Sequence, residues 1–249
     1  MKNTIGIIGA MNKEIEDLVS CITNLNTKTI GNIVFYEGMI EKNNVIVAKS
    51  GIGKVQAAMC ATTMILNYNL KEIIHIGIAG VLDEELDIHD VAIADKVCQY
   101  DFDLTAFGLQ KGEIEDLNTI YFNCDKKIIS DLECCAKFLN IHYKIGTIAT
   151  GDQFVTHSDL KKDLVKNFNA IACEMEGAAT GEVCFINKIP FAVVRAFSDK
   201  SDESFEESNY YKSKIVAADT ATKLIKHYLK SSYRGKWLWS PKGPLWKHY

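Results

Sequence analysis

The chain has 249 residues, 47% of them hydrophobic and 24% charged, with a formal net charge of −4. Such a length suits one large domain or two small ones, and the near-average composition excludes wholesale disorder, collagen and coiled coil. No apolar run approaches the roughly 18 residues of a membrane span, and the start MKNTIGIIGAMNKE carries neither the apolar stretch nor the cleavage site of a secretory signal. A cytoplasmic protein without a membrane partner is expected.

The charge is unevenly spread. Residues 231–249 hold four bases (Arg234, Lys236, Lys242, Lys247), no acid, and all three Trp, leaving 24 bases against 32 acids in residues 1–230. An acidic body argues against a nucleic-acid partner, which needs a basic face. The tail reads as a native aromatic arm, a partner-binding segment or an expression-vector remnant, the last being favoured, and it is set aside from the functional reading. Residues 1–230 are expected to form a single domain. The eight cysteines make no C-x-x-C pair and sit mostly among apolar neighbours, so reduced structural thiols are expected, and no metal.

Along the chain, Thr4–Gly9 predicts a buried strand, and Ile15, Leu18, Val19 and Ile22 follow at helical spacing. Ile33–Ile40 and Val45–Lys49 predict paired strands with a turn at Asn43-Asn44. Val55, Ala58, Met59, Thr62 and Leu66 fit one helix face. Strands are predicted at Ile73–Gly77, Val91–Val97, Ile145–Thr150 and Phe191–Phe197, with a helix over Lys126–Leu139. Met175, Ala179, Val183 and Ile186 mark another helix face, and Ile215, Ala218, Thr222, Ile225 and Leu229 the last. Alternating strands and helices imply an α/β layered domain with a largely parallel sheet, whose sites gather where strands end.

Five such junctions hold chemistry. Glu14 falls in the first turn of a helix, where an acid favours the dipole. Ser50-Gly51-Ile52-Gly53-Lys54 is a glycine turn that matches neither a dinucleotide nor a nucleoside-triphosphate loop, but that can cradle an anion or a sugar. Gly77-Ile78-Ala79-Gly80 reads equally as a turn or as a close approach to ligand. Glu174 and Glu176 flank Met175 in an apolar passage, where unpaired acids are costly; their bland alternative is a salt bridge to a lysine. At the end of Phe191–Phe197 the chain delivers Arg195, Ser198 and Asp199, and Arg195 is the only Arg in residues 1–230. Three or four acids and one planar cation in a shared pocket would be a catalytic arrangement.

Six segments in order, G-I-I-G-A-M, K-S-G-I-G-K-V, T-A-F-G, T-G-D-Q-F, C-E-M-E-G-A-A and V-V-R-A-F-S-D, resemble the nucleoside phosphorylase/uridine phosphorylase superfamily. Within it they are most similar to the bacterial 5′-methylthioadenosine/S-adenosylhomocysteine nucleosidases, over about residues 3–230. The resemblance implies a three-layer α/β/α sandwich around a mixed, largely parallel sheet. It also implies a homodimer that hydrolyses the N-ribosidic bond of adenine thionucleosides without metal or organic cofactor. It makes Asp199 the acid that protonates adenine, oriented by Ser198, and gives Glu14 the attacking water, with Arg195 and Glu174 or Glu176 around it. Glu176 and the Met175 backbone would bind the ribose, Phe154 would stack on adenine and the Val155 backbone would read its edge. Met11, Ile52 and Phe205 would line the 5′ pocket, while Leu104 and Phe107 would reach into the partner subunit's site. Three positions depart from the family pattern: Ile78 where a small hydroxyl residue is common, Glu115 in a usually apolar stretch, and a short loop over Lys200–Ser204 before Phe205.

The residue types fit that chemistry. A departing base needs a proton, and an oxocarbenium-like sugar needs negative charge beneath it. Two rivals remain: a phosphate-dependent purine nucleoside phosphorylase and a non-catalytic adenine nucleoside-binding protein. Phosphate recognition draws on Arg clusters, and residues 1–194 contain no Arg, leaving Lys49, Lys54 and Arg195 as anion ligands. A binding protein would not need Glu14, Glu176 and Asp199 together. Methylthioadenosine, S-adenosylhomocysteine, 5′-deoxyadenosine and aminodeoxyfutalosine share adenine and ribose and differ at the 5′ arm, outside these motifs.

Overall fold

A computed structural model of the chain describes residues 4–202 and 204–232, together with the backbone of 239–240 and 243–244. The first half runs β1 (Thr4–Gly9), α1 (Asn12–Ser20), β2 (Thr23–Ile30), β3 (Ile33–Ile40), β4 (Asn43–Lys49), α2 (Lys54–Asn67), β5 (Leu70–Val81) and β6 (Val91–Gln99). It continues through β7 (Tyr121–Asn123), α3 (Lys126–Leu139), β8 (Tyr143–Thr150), α4 (Ser158–Phe168), β9 (Ala170–Glu174), α5 (Gly177–Asn187), β10 (Phe191–Asp199) and α6 (Glu207–Ser232). Beyond it, 239–240 pair antiparallel with 243–244; the rest of the compositionally odd tail lies outside the described residues.

The strands form one mixed sheet in the order β10-β6-β8-β9-β5-β1-β4-β3-β2, with β7 on β6. Because β10 also pairs with β5, the strands β5, β10, β6, β8 and β9 close into a ring. β1–β4, β1–β5, β5–β10, β6–β8 and β8–β9 are parallel. A strand covered on both faces must be apolar on both, and every residue of β10 is buried. Helices α1, α3 and α6 cover one face through Leu18, Leu132 and Leu224, packed on Ile7, Val47 and Val194. On the other face α2 and α5 bring Cys60, Met64, Ala178 and Cys184 against Ile8, Ile73 and Val193. The result is the expected layered arrangement of helix, sheet and helix.

Several boundaries differ from the sequence pattern. The β3–β4 turn lies at Glu41–Lys42, with Glu41 at φ 53°, and Asn43 pairs with Ile40 inside the ladder. Asn43 is engaged elsewhere, its Nδ2 donating to the Leu229 carbonyl at 2.6 Å in the last turns of α6. The apolar face of α2 turns outward: Val55, Met59 and Leu66 are exposed, and the buried residues are Ala57, Cys60, Ala61 and Met64. In α5 the helix begins only after Met175, and Ile186 is exposed, as is Ile215 in α6. β2 was not predicted, because nearly all its side chains are exposed and it is held by pairing with β3 alone. Among the described residues no helix is long and apolar enough to cross a membrane, and all eight cysteines are free thiols.

One buried polar contact ties α6 to the sheet. Tyr228 Oη donates to Glu72 Oε1 at 2.6 Å, and Lys71 Nζ sits 3.0 Å from the other carboxylate oxygen. Tyr228→Phe should lower stability by about 1–3 kcal/mol by leaving a buried carboxylate short of a donor. The urea midpoint should fall at an unchanged slope.

Candidate active site

Arg195 is fully buried in β10, so its charge must be matched nearby. Nη1 donates to the Ile76 carbonyl of β5 at 3.0 Å, and Nη2 donates to Glu174 and lies 3.5 Å from Glu176 Oε2. Gly77 is the strand partner opposite Arg195. A Cβ at Gly77 would lie 1.9 Å from Arg195 Nη1 and 2.7 Å from Glu14 Oε1, so the guanidinium requires glycine there. Gly80 follows the same rule, since a Cβ would fall 1.8 Å from Ser201 Oγ and 2.8 Å from Asp199 Oδ1. Gly77-Ile78-Ala79-Gly80 is therefore neither of the expected alternatives alone. It is continuous strand, closely approached by the protein's own polar side chains.

The acids differ in how far they are committed. Glu174 ends β9 and accepts from the Glu176 N–H (3.0 Å), the Gly177 N–H (2.8 Å), Thr150 Oγ1 and Arg195. Those partners saturate it and tie β8, β9, β10 and the start of α5 together. Neither Glu174 nor Glu176 takes up the lysine bridge of the bland reading; their cation is Arg195. Glu176 Oε1 accepts from the Gly53 N–H at 2.8 Å, while Asp152 takes the Lys54 N–H at 2.8 Å. The glycine turn thus cradles the chain's own carboxylates. Lys54 Nζ is paired with Asp101 at 2.7 Å, and Lys49 is exposed. Glu14 bridges two backbone donors, the Met11 N–H at 2.8 Å and the Ile78 N–H at 3.0 Å.

At the other end, Asp199 accepts from Ser198 Oγ at 2.8 Å and from the Ser201 N–H at 3.0 Å. Burial raises its pKa above the ordinary carboxylate range despite those bonds. Burial likewise raises Glu14 against the pull of Arg195, and pushes Glu176 up to about 7. Burial opposes the Arg195 charge, but Glu174, Glu176 and Glu14 outweigh it and keep the guanidinium ionised.

A cavity opens over this cluster. Met11, Glu14, Ile52, Ile78, Phe154, Val155, Glu174, Met175, Glu176, Ser198 and Asp199 all line it. Arg195 lies behind the wall, and Phe205, Leu104 and Phe107 are not among the lining residues. Phe205 packs edge-on against Phe154 at 5.1 Å, and Tyr210, 5.5 Å from Phe154, lines the cavity. Phe107 is 82% exposed on a short helical turn, Thr105–Phe107. Glu115 is exposed and also outside the lining. Sequence reasoning missed Tyr210, Ser201, Gln153 and Cys173; the aromatic run Phe205, Tyr210, Tyr211 at the start of α6 was the available signal. Burial pushes the Cys173 thiol up to about 12, making it a neutral wall. Among the described residues no cluster of His, Cys, Asp and Glu is disposed to hold a metal.

A model of the phosphorylase superfamily matches residues 4–230. The 5′-methylthioadenosine/S-adenosylhomocysteine nucleosidase of Staphylococcus haemolyticus is 38% identical over 208 residues, covering 82% of this chain and 91% of that protein. The one of Buchnera aphidicola subsp. Schizaphis graminum is 38% identical over 227 residues, 91% and 96% of the two chains. Among solved structures, the Neisseria meningitidis nucleosidase in complex with methylthio-immucillin-A superposes at TM-score 0.88, with 32% identity over 93% of this chain and all of that one. The futalosine hydrolase of Helicobacter pylori also reaches 0.88, at 33% identity over 92% and 98%. The fold and this cleft of buried acids define an α/β nucleoside-processing class. The chain belongs to the phosphorylase superfamily.

The raised Glu176 carboxyl sets a pH dependence of stability. The folded state holds its proton up to about 7, whereas the ordinary value is 4.5, so stability is fully present below the lower figure and falls as pH rises through the upper one. Thermal midpoints of the wild type should decline relative to Glu176→Gln between those values, by the equivalent of about 3 kcal/mol. Parallel curves for the two proteins would place the titration elsewhere.

Proposed function

We propose that this chain is an N-ribosyl hydrolase that converts 5′-methylthioadenosine and S-adenosylhomocysteine to adenine and the 5′-thioribose. One observation carries the reading: a protonatable Asp199 and a carboxylate cluster face one cleft, and Arg195, the only arginine among the described residues, is already spent on that cluster. Asp199, held by Ser198, gives its proton to adenine N7. The C1′–N9 bond then breaks with its electron pair going to the base. The positive charge left on the sugar is stabilised by Glu14 and Glu176, whose negative charge Arg195 only partly offsets. Water adds to C1′ and passes a proton to Glu14. Glu176 and the Met175 backbone hold the ribose hydroxyls, Phe154 stacks on the base, and the Val155 backbone reads its edge. Met11 and Ile52 line the 5′ arm, and Phe205 supports it through Phe154 and Tyr210.

Phosphorolysis would need a further cationic site for the anion. Lys54 is engaged with Asp101, and the glycine turn is filled by Glu176 and Asp152. This disfavours the phosphorylase alternative. The tuned Asp199 disfavours a mere nucleoside-binding protein.

The working unit in this reading is a cytoplasmic homodimer acting in methionine salvage, with residues 1–230 as one domain and 231–249 as an appended tail. α2 exposes Val55, Met59 and Leu66, and α5, which packs beside it, exposes Phe185 and Ile186. A second copy is the natural cover for such a face. Leu104 and Phe107, outside the chain's own cleft, are the residues offered to the partner.

The test is adenine release from methylthioadenosine with and without phosphate. Equal rates and free thioribose are expected; strict phosphate dependence would establish the phosphorylase instead. Asp199→Asn should lose roughly 10²–10⁴-fold in kcat while still binding the nucleoside. Unchanged turnover would remove Asp199 from the acid role. For the wild type, kcat/KM should fall on the alkaline side as Asp199 loses its proton.

A further inference from the structure

Among the described residues, two buried side-chain nitrogens have no hydrogen-bond partner: His75 Nε2 and Arg195 Nε. They stand on neighbouring strands. β5 and β10 pair in parallel with His75 opposite Val193 and Gly77 opposite Arg195. Residues two apart on a strand share a face, so His75 and Arg195 are diagonal neighbours on one side of the sheet. Burial, and then the charge of Arg195, hold the imidazole well below its usual range, so His75 is neutral.

The two orphaned atoms are complementary. Arginine Nε–H can only donate, and a neutral imidazole has one donor and one acceptor nitrogen. His75 Nδ1 lies 2.8 Å from Thr180 Oγ1 in the first turns of α5. With its proton on Nδ1 and donated to Thr180, His75 keeps an unpartnered lone pair on Nε2, while Arg195 keeps one guanidinium N–H with no other outlet. The other two edges of the guanidinium are fixed by Ile76 and by Glu174 and Glu176. A structural histidine among Ile73, Ile74 and Ile76 would leave a polar atom buried at a cost of about 1–3 kcal/mol without return.

We propose that His75 is a positioning residue for the proposed hydrolysis: its Nε2 receives the Arg195 Nε–H through one buried water and so fixes the guanidinium behind the sugar carboxylates. The inference rests on the hydrolase reading. Glu176 faces Arg195 from β10, Glu174 from β9, Glu14 from α1 and the Gly53 N–H at α2. A loosened Arg195 lets its carboxyl titrate higher.

Glutamine places an amide oxygen near the Nε2 position, whereas asparagine reaches only as far as Nδ1. His75→Gln should keep kcat within about threefold of the wild type, with the acid limb of its kcat/KM profile in place. His75→Asn should lose roughly tenfold to a hundredfold in kcat with a smaller change in KM, and its acid limb should move to higher pH. Thr180→Val, which releases the Nδ1 proton, should shift the limb in the same direction. Nitrogen NMR of the wild type should show His75 as the neutral Nδ1–H tautomer, a readout independent of turnover. Asn behaving as wild type, Gln as impaired as Asn, losses that follow thermal midpoint with an unmoved acid limb, or an Nε2–H tautomer would each overturn the assignment. A wild type that releases no adenine at any pH would instead remove the hydrolase reading, while the tautomer would still decide whether His75 faces Arg195 as an acceptor.

Discussion

Arg195 has no solvent, and its charge survives only because three elements deliver oxygen to it at once. Glu174 arrives at the end of β9, Glu176 at the entry to α5, and the Ile76 carbonyl from the neighbouring strand β5. A buried cation missing one of these partners would be strongly destabilising. The ring of strands can therefore close between β5 and β10 only in the register that brings the partners together. Glu14 then leans on the same centre from α1, held by two backbone donors. The fold and the cleft share this one electrostatic knot.

The knot is unbalanced by design of its parts: one guanidinium faces three glutamates. In the resting protein burial answers the surplus by raising the pKa of Glu14 and by pushing that of Glu176 up to about 7. A sugar that becomes cationic during bond breaking supplies the missing positive charge at the moment it is needed. Asp199 sits apart from the guanidinium, with Ser198 and the Ser201 backbone as its donors, so its raised pKa owes most to burial. Two acids of similar intrinsic strength are thereby set to different tasks.

Much of this was legible from sequence for definite reasons. β1 and the Phe191–Val194 half of β10 carry apolar runs, and α3, with its boundaries at Lys126 and Leu139, carries a strong helical pattern and an Asp125 cap. The lone Arg beside paired acids marked the centre. Most of what escaped had no local signature. β2 is a polar strand that exists by pairing, and α2 looks inverted because its larger apolar side chains point outward while Ala57, Cys60 and Ala61 fill the tight inner face. α4 did repeat Leu160, Leu164 and Phe168 at a spacing of four, a readable signal among many lysines. Ser201 and Tyr210 line the cleft by tertiary placement, to which only the aromatic run Phe205, Tyr210, Tyr211 pointed.

The glycines of β5 carry a consequence for anyone who would engineer this protein. Glycine within a strand is normally a weak point, and replacing it with a larger residue is a routine route to higher melting temperature. Gly77 and Gly80 satisfy every local criterion for such a change, lying in the apolar, well-paired second half of β5. Their free space is occupied by Arg195, Glu14, Ser201 and Asp199, residues distant in sequence or supplied from other elements. A thermostabilising library scored on strand propensity would select against the very cavity that gives the molecule its chemistry, so robustness here has to be sought on β2 or the outer faces of the helices.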